Sequence, residues 1–305
     1  MRHLKVWRYI DEVARTGSIR QAAERLNVTA SALNRRLQDV EKELGTPLFD
    51  RLPRGVRLNA AGELLIRHIR DQIADTSRVR SQIEDLSGFR RGKIALACSH
   101  ALAYRLLPEE ITAYRADFPQ VRFDVRILGH GQALDALTEF DVDLAVVFRP
   151  SPSPDFAVIA AADQPLVAIM RRDHPLAARP VLRLRDCLAH PLALPDGNYG
   201  GRQMLAEAAA RRSLPVEPAI ESNSFEFLRN VVLREDALTF QIAVGAPPPE
   251  GDADGLVSRP IDVRDVPPGR LAIGQLRGRP LTVAAAKFAQ RLVQRLESAV
   301  PAAAR

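Results

Sequence analysis

Four polar side chains within one short segment have the types and the spacing that contacts to DNA bases require. Ser31, Asn34, Arg35 and Gln38 follow one another at steps of three, one and three residues, so on an α-helix they share one face. Their side chains are short or planar and carry hydrogen-bond donors and acceptors, which match the base edges exposed in the DNA major groove. The alternative interpretation is an ordinary solvated helix face.

Apolar residues of the same segment predict the helix that would present this polar face. Leu33, Leu37, Val40 and Leu44 recur at steps of four, three and four residues and form a stripe on the opposite side. Thr29 precedes the stripe and is suited to cap the helix N-terminus. We therefore predict a helix of about four turns that ends near Leu44.

A shorter helix is predicted directly before it, in the arrangement of a helix-turn-helix. Ser18 is a suitable N-cap, and Gln21 three residues later fits a capping box. Ala22 and Ala23 are small and allow this helix to pack closely across the next one. An amphipathic N-terminal helix would close a three-helix core with its apolar residues Leu4, Trp7, Ile10, Val13 and Ala14.

After the helices, two short extended segments around a basic Pro/Gly turn predict a wing. Arg51, Arg54 and Arg57 lie in these segments, from which guanidinium groups can reach phosphates or the minor groove of DNA. Helices and wing together define the predicted DNA-contacting set, which comprises Ser18, Thr29, Ala30, Ser31, Asn34, Arg35, Arg36, Gln38, Arg51 and Arg54.

The order of these motifs resembles that of a known protein family. The segment TASALNRRLQDVEKELGTPLFDR (29–51), followed by RGVRLNAAGELL (54–65), is similar to the winged helix-turn-helix of LysR-type transcriptional regulators. The similarity covers residues 3–66. Ala30 and Asn34 depart from the usual family pattern, which has a polar residue and a serine at these positions. The resemblance implies a transcriptional regulator that binds promoter DNA.

The distribution of charge fits a nucleic-acid-binding segment joined to a nearly neutral remainder. The chain of 305 residues has a formal net charge of +6, and residues 1–60 hold 12 Lys and Arg against 7 Asp and Glu. These 60 residues thus carry +5 of the total, which is the electrostatic pattern of a DNA-binding domain. The length suits two or three domains, and a hydrophobic content of 46% is enough for a sizeable core.

Cysteine usage and the N-terminal sequence predict a cytoplasmic protein. Cys98 and Cys187 are the two cysteines, too few for a disulfide framework and consistent with a reducing compartment. The N-terminal segment lacks the apolar core of a signal peptide, and no run of about eighteen apolar residues occurs. We therefore expect no membrane partner.

A long helical segment is predicted after the wing, from Ala60 to about Leu86. Its apolar seam recurs at three- and four-residue steps and comprises Ile66, Ile69, Ile73, Thr76, Val79, Ile83 and Leu86. Either a second copy of the helix or the chain's own domain must cover this seam. The family resemblance favours a dimerising linker helix, and hence a homodimer or homotetramer that recognises DNA of approximate two-fold symmetry.

The hydrophobic period changes after a short hinge at residues 89–92. A first set of strands and helices is predicted at 93–98, 106–118, 121–128, 132–139 and 144–148. After a Ser-Pro break at 151–154, a second set is predicted with strands at 166–170, 192–194, 219–222, 237–244 and 271–276 and helices at 201–212, 225–234 and 282–299. Such alternation predicts mostly parallel sheets with helices on their faces.

This half resembles the effector-binding domain of the same family, which is related to periplasmic solute-binding proteins. The landmarks are Leu107-Pro108, Phe118-Pro119, Asp143-Leu144-Ala145 and His174-Pro175-Leu176-Ala177. The resemblance implies two α/β lobes joined by crossing strands, with a ligand cleft between them and a last strand and helix that return to the first lobe. The predicted fold is α/β, with a mainly α-helical winged helix-turn-helix at 1–59, a linker helix at 60–88 and a two-lobed α/β effector domain at 91–305.

Polar and aromatic side chains follow several predicted strands, at the ends where α/β proteins bind ligands. Ser99, for example, lies between the first strand and the next helix, and helix N-termini favour anions. The predicted effector-binding residues are Ser99, His100, His130, Phe148, Asn198, Tyr199 and Gln241. The alternative for each is loop capping or surface solvation. The set suits a small polar or anionic metabolite better than a large apolar one.

No segment of the sequence indicates catalysis, a metal site or a cofactor. Gly129-His130-Gly131 follows a strand, but Leu134 occupies the third glycine position of a dinucleotide fingerprint. The pairs Cys98/His100 and Cys187/His190 offer two ligands each, without the repeat of a zinc finger. We therefore expect no catalytic residue, no metal and no cofactor, only a small-molecule effector of unknown identity.

Two other classes of protein remain as alternatives to a DNA-binding regulator. A solute-binding or enzymatic α/β protein with a helical N-terminal appendage predicts a secretion signal or a catalytic constellation, and neither is visible. An architectural DNA binder would not need about 210 residues of two-lobed α/β fold. The expected partners of a regulator are double-stranded DNA, a second copy of the chain, the effector and, as a further candidate, RNA polymerase.

Overall fold

The computed structural model describes residues 2–86 and 91–299, which form two compact units that divide after Leu86. The predicted hinge at 89–92 lies partly outside the described residues. Within these ranges, no helix is both long enough and apolar enough to cross a membrane.

The first unit contains the predicted helices and wing in the predicted order. Its elements are α1 (Arg2–Thr16), α2 (Ile19–Arg25), α3 (Ala30–Leu44), β1 (Phe49–Leu52), β2 (Gly55–Leu58) and α4 (Ala60–Leu86). Ser18 Oγ accepts the N–H of Gln21, and Thr29 Oγ1 accepts the N–H of Ala32, so both predicted N-caps form. The capping box is only half present, because the Ser18 N–H donates to Thr16 Oγ1.

The apolar stripe of α3 is shorter than predicted. Leu33 and Leu37 are fully buried, and Val40 packs at the edge of the same core. Leu44 was predicted to continue the stripe, but 48% of its surface is exposed. The core therefore uses about two turns of α3, in a cluster that also contains Ile10 of α1.

The seam of α4 divides into two parts with different environments. Ile66 and Ile69 are buried in the core of the first unit, and Ile73 is partly buried against it. Val79 and Ile83 expose 46% and 58% of their surface. The chain's own domain therefore covers the first half of the seam. Within the described residues, only the second half of the seam is available to pack against a second copy of the helix.

The second unit is an α/β structure with more strands than predicted. Its elements are β3 (Gly92–Cys98), α5 (His100–Ala103), α6 (Leu106–Asp117), β4 (Val121–Ile127), α7 (His130–Thr138), β5 (Leu144–Phe148), β6 (Phe156–Gln164), β7 (Leu166–Arg171), α8 (Leu184–Cys187), β8 (Ala193–Pro195), α9 (Gly200–Ala210), β9 (Ile220–Ser222), α10 (Phe225–Arg234), β10 (Thr239–Ile242), β11 (Leu256–Pro260), β12 (Gly269–Leu276) and α11 (Val283–Ala299).

The strands form a larger sheet in the first lobe and smaller ones in the second. The first sheet has the order β4-β3-β5-β12-β6, with β3 parallel to β4 and β5, and β12 antiparallel to β5 and β6. In the second lobe β7 lies antiparallel between β10 and β11, and β8 pairs with β9 in parallel. The prediction of mostly parallel sheets is right for β3, β4 and β5 and for the β8–β9 pair. It is wrong for the antiparallel pairs that β12 forms in the first sheet and β7 forms in the second.

Two strands, β6 and β11, were missed in the sequence. β6 has an alanine-rich centre without a clear apolar alternation, and β11 is short and ends in Pro260. The strand predicted at 237–244 is also too long, because residues 243–245 form a 3-10 turn. These features depend on pairing between strands that are distant in sequence, and the local hydrophobic period does not reveal such pairing.

Crossing strands connect the two lobes as the family resemblance implies. β6 pairs with β12 in the first sheet and runs through Pro165 into β7 of the second sheet. After β11, the chain returns to the first lobe through β12 and α11. Tyr114 of α6 fixes this return, since its hydroxyl donates to the Ala284 carbonyl at 3.0 Å.

A buried carboxylate, Asp265, stabilises the second lobe. It is 2% exposed and accepts hydrogen bonds from Nε and Nη2 of Arg183, both at 2.8 Å, and from the N–H of Leu184 at 2.9 Å. The guanidinium of Arg183, together with the Leu184 N–H, holds the pKa of Asp265 at about 2 despite the opposing effect of burial.

This depressed pKa predicts an acid-dependent contribution to stability. The folded pKa lies below the unfolded value of about 3.9, so the contribution is complete above that value and disappears as the pH falls through about 2. We expect Asp265→Asn to lower the free energy of unfolding by about 2 kcal/mol at pH 7 and by less at pH 3. Urea unfolding at both pH values measures this, with the exposed Asp173→Asn as a control that should change little. An equal loss at both pH values would contradict the assignment.

Candidate DNA-binding surface and ligand cleft

Helix α3 presents the predicted polar face to solvent. Ser31, Arg35 and Gln38 are exposed, and Asn34 is partly buried on the same side of the helix. Leu33 anchors the opposite side in the core, so the face cannot rotate without exposing it. The arrangement suits insertion of α3 into a major groove.

The two N-cap residues of the predicted DNA-contacting set have structural roles as well. Ser18 Oγ accepts the Gln21 N–H at 3.4 Å and begins α2. Thr29 Oγ1 accepts the Ala32 N–H at 3.2 Å and lies 3.2 Å from Ser31 Oγ. Thr29 is exposed and Ser18 partly buried, so both can still face a ligand from their capping positions.

The wing is a two-stranded antiparallel ribbon held against the turn between α1 and α2. The N–H of Val56 donates to the Gly17 carbonyl at 2.8 Å. Gly17 and Gly55 have φ values of +61° and +112°, and a Cβ on Gly55 would lie 2.3 Å from the Gly17 carbonyl oxygen. Glycine is therefore required at position 55 and favoured at position 17, and the close contact places Arg51 and Arg54 on an ordered ribbon.

The exposed arginines of α3 and the wing have no acidic partner among the described residues. They are Arg35, Arg36, Arg51, Arg54 and Arg57. Elsewhere in the unit, arginines form ion pairs, such as Arg25 with Glu12 and Arg70 with Asp11 at 3.1 and 2.8 Å. Unpaired guanidinium groups on one surface are available to phosphates, which is the requirement for DNA binding.

This surface predicts salt-dependent DNA binding. We expect Arg35→Ala to weaken binding by about tenfold for specific and unrelated DNA alike and to reduce the salt slope by about 1, because one phosphate contact is lost. Titrations at several salt concentrations measure both quantities. Arg78→Ala is the matched control, since Arg78 pairs with Asp75 far along α4. A DNA affinity that ignores salt would contradict this surface.

In the second unit, one cavity brings together all seven predicted effector-binding residues. It has a volume of about 40 Å³ and is lined by both lobes. The first lobe contributes residues that follow β3, β4 and β5, and the second lobe contributes residues before α9 and on β10. The predicted members are Ser99, His100, His130, Phe148, Asn198, Tyr199 and Gln241.

Phe148 forms an apolar wall that backbone glycines approach closely. It is 6% exposed, and a Cβ added to Gly200 or Gly269 would lie 2.9 or 2.4 Å from its ring. The two glycines belong to α9 and β12. They allow the helix and the crossing strand to pack directly on the ring, which explains why no larger side chain can occupy these positions.

Aromatic rings from both lobes meet in the cleft. His100 stacks on Phe225 with centroids 5.9 Å apart and meets Tyr199 edge-on at 5.1 Å. The Tyr199 hydroxyl donates to the Asn223 carbonyl at 2.9 Å and lies 3.5 Å from Nε2 of His100. Burial lowers the pKa of His100, against an opposing effect of Asp196, so the ring is favoured as neutral imidazole.

The polar side chains of the cleft differ in whether they already form hydrogen bonds within the protein. His130 is partly buried, with Nε2 3.2 Å from Ser151 Oγ, whereas Asn198 is exposed. Ser99 precedes α5 without a side-chain capping bond. Gln241 is 5% exposed, and among the described residues no protein group bonds its side-chain amide. Ser99 and Gln241 are therefore available to a ligand.

Arg202 lines the same cavity and was not predicted from the sequence. It is the third residue of α9, whose N-cap residue Tyr199 makes no side-chain capping bond. Its Nε is buried without a hydrogen-bond partner in the described part of the chain, and no carboxylate there pairs with it. The sequence offered one signal for this residue, the Gly-Gly-Arg segment at the start of a predicted helix. Because Arg is common throughout this chain, that signal did not distinguish Arg202 from other arginines.

Among the described residues, His174, His190 and Asp236 form the one cluster with the composition of a metal site. Their potential ligand atoms lie within 4.8 Å of one another. However, the Leu176 N–H donates to Nδ1 of His174 at 3.1 Å, so the proton of the neutral ring resides on Nε2, which faces Asp236 at 3.5 Å. A metal would have to displace this proton, so the geometry fits a capping histidine better.

The two cysteines that were considered as metal ligands are unsuited to that role. Cys98 and Cys187 are completely buried, and burial raises the pKa of each thiol to about 12. Both therefore remain protonated near neutral pH, and a metal binds the thiolate.

Comparison with known proteins agrees with this geometry at the level of family and fold. Residues 4–63 match the family described as "Bacterial regulatory helix-turn-helix protein, lysR family", and residues 87–297 match "LysR substrate binding domain". The activator CmpR of Synechocystis sp. is 26% identical over 220 residues, or 72% of each chain. DgcR of Pseudoalteromonas sp. is 33% identical over 170 residues, or 55% of this chain and 57% of the relative.

Solved structures with the same fold match nearly the whole length of the chain. A full-length OxyR variant from Pseudomonas aeruginosa superposes with a TM-score of 0.67 and 21% identity, covering 97% of this chain and 93% of OxyR. CbnR in complex with its target DNA superposes with a TM-score of 0.61 and 18% identity, covering 96% and 99%.

A winged helix-turn-helix joined to a two-lobed ligand-binding domain defines a DNA-binding regulator. The family matches together span most of the chain, and the chain belongs to the LysR family of transcriptional regulators.

Proposed function

We propose that this regulator binds promoter DNA as a dimer or tetramer and responds to a small molecule held between the lobes of its second unit. The observation that carries the proposal is a cavity lined by the predicted residues of both lobes. A ligand that contacts both lobes favours one relative position of the lobes over another, which is the condition for coupling to DNA binding. The proposed response to the effector requires neither a metal nor a cofactor.

The partners follow from the same arrangement. The DNA complex of CbnR supports double-stranded DNA as the target, and a regulator at a promoter can contact RNA polymerase. Because the target is chromosomal DNA, the proposed site of action is the cytoplasm. The regulatory role of the family argues for a non-enzymatic protein.

The chemistry of the cleft favours an anionic effector. Arg202 supplies an unpaired guanidinium, and the N-terminus of α9 supplies backbone N–H groups beside it. Ser99 and Gln241 add a hydroxyl and an amide, and Phe148 offers an apolar wall. A small carboxylate with an apolar body satisfies all of these groups. The negative charge of Asp196, which acts on His100 of the cleft, disfavours a second negative charge on the ligand.

A thermal-shift screen of small carboxylates and their neutral amides tests this function. We expect carboxylates to raise the melting temperature, with roughly 2.7 kcal/mol of stabilisation at a hundred times the dissociation constant. Arg202→Met and Gln241→Leu should reduce the shift, because each removes a polar contact to the ligand. Arg234→Met is the control, since Arg234 bonds Asn230 on the outer face of α10.

Two results would count against the proposal. If no compound of the screen stabilises the protein, the cleft is not an effector site for this class. If a ligand is found and both variants bind it normally, the effector lies elsewhere in the molecule.

A further inference from the structure

Outside the cavity, the two lobes make a second contact through the helices that carry the aromatic pair of the cleft. Tyr104 follows His100 by four residues at the end of α5, and Arg229 follows Phe225 by four residues on α10. Residues four apart lie on the same face of a helix. The pairing that stacks His100 on Phe225 therefore also places Tyr104 on Arg229.

The contact between Tyr104 and Arg229 is close and polar. The guanidinium carbon lies 3.8 Å from the ring centroid, and Nη2 donates to the Tyr104 hydroxyl at 2.8 Å. The same Nη2 donates to Asp252 at 2.6 Å, and the Tyr104 hydroxyl donates to Asp254 at 3.4 Å. Arg229, Asp252 and Asp254 belong to the second lobe, whereas Tyr104 belongs to the first.

The two sides of this contact differ in how firmly they are held. The Arg229 side chain is 8% exposed and is paired with Asp252 inside its own lobe, so it stays in place when the lobes separate. Tyr104 is 47% exposed and reaches the second lobe only through its ring and hydroxyl. Separation of the lobes thus breaks the contacts of Tyr104 and leaves the ion pair intact.

The size of the cavity makes such a separation necessary. A volume of about 40 Å³ is far below the roughly 300–1,000 Å³ of typical ligand pockets, and neither Tyr104 nor Arg229 lines it. We therefore expect the lobes to move apart when a metabolite binds in this cavity.

We propose that Tyr104 and Arg229 form a closure latch that holds the cleft shut and sets how often it opens. The proposal rests on the proposed function of the cleft as an effector site. The latch residues position the lobes and do not touch the ligand. Regulation by the effector then includes the opening of this contact.

A thiol placed inside the cavity measures the opening directly in the full-length protein, without any effector. Gln241→Cys puts a reactive group at a position that is 5% exposed, while the native cysteines are buried with raised pKa values and form a slow background. The probe is 5,5′-dithiobis(2-nitrobenzoate), which is larger than the cavity. We expect Tyr104→Ala in this background to raise the modification rate about tenfold, because a cation–π contact and a hydrogen bond are lost.

Two further variants separate a latch from a merely structural residue. Tyr104→Phe keeps the ring on the guanidinium and should give an intermediate rate, whereas Arg234→Met on the outer face of α10 should leave the rate unchanged. Circular dichroism checks that each variant is folded. Equal rates for Gln241→Cys with and without Tyr104→Ala would overturn the latch, whatever the effector screen shows. If Tyr104→Ala does not fold, an unchanged rate in Tyr104→Phe overturns it as well.

Discussion

Lysine in place of Ile83 is expected to convert the protein to a monomer and to weaken operator binding by about 10²–10⁴-fold. Ile83 lies in the second half of α4, where 58% of its surface is exposed. If two copies of α4 pack along this half of the seam, the substitution places two like charges at an apolar contact. Loss of the dimer then removes the gain in effective concentration that two linked DNA-binding heads provide.

The position of the substitution decides how clearly the result can be interpreted. Ile69 and Ile73 belong to the same seam but pack in or against the core of the first unit, so lysine there would also disturb the DNA-binding fold. Ile83 lies beyond that core. Gln82→Lys is the matched control, because it adds the same charge at an exposed position on a different side of the helix.

Light scattering and operator titration together measure the outcome. Ile83→Lys should give the mass of one chain and weak binding, and Gln82→Lys should give the mass of the unaltered oligomer and normal binding. A dimeric Ile83→Lys protein would place the interface elsewhere. A monomer that binds the operator with unchanged affinity would instead show that the two heads do not act together.

The sequence predicted best those elements that local signals specify completely. The caps at Ser18 and Thr29 and the apolar period after them define α2 and α3. β5 and α10 begin and end where predicted, since each is a strongly patterned segment between clear breaks. The seven predicted effector-binding residues line one cavity, and those at the ends of β3, β4 and β5 do so because the ends of parallel strands meet at one edge of a sheet.

The features missed in the sequence depend on contacts between distant segments. β6 pairs with β12 about 110 residues later, and its alanine-rich sequence carries no period of its own. Arg202 is distinguished from many other arginines only by its buried Nε beside the cavity. The contact of Tyr104 with Arg229 joins residues 125 positions apart, so no local pattern indicates it.

Alanine in place of Gly245 is expected to destabilise the second unit and to distort the cleft at the same time. A Cβ at this position would lie 1.9 Å from the carbonyl oxygen of Ala101 and 3.0 Å from the side-chain nitrogen of Gln241. The first of these atoms is backbone of α5, so no side-chain rotation relieves the clash. Either α5 moves away with His100, or the 3-10 turn at 243–245 moves with the end of β10.

We expect a loss of about 1–3 kcal/mol in the free energy of unfolding, as for other overpacked sites. Gly131→Ala is the matched control, because no atom lies within 4 Å of its added Cβ and the residue is within α7. That substitution should be neutral or stabilising by about 0.4–1 kcal/mol. Urea unfolding of both variants, with the thiol accessibility of Gln241→Cys in each, distinguishes a displaced α5 from a general loss of stability. If Gly245→Ala unfolds like the parent protein, the close approach between α5 and the 243–245 turn does not exist in solution.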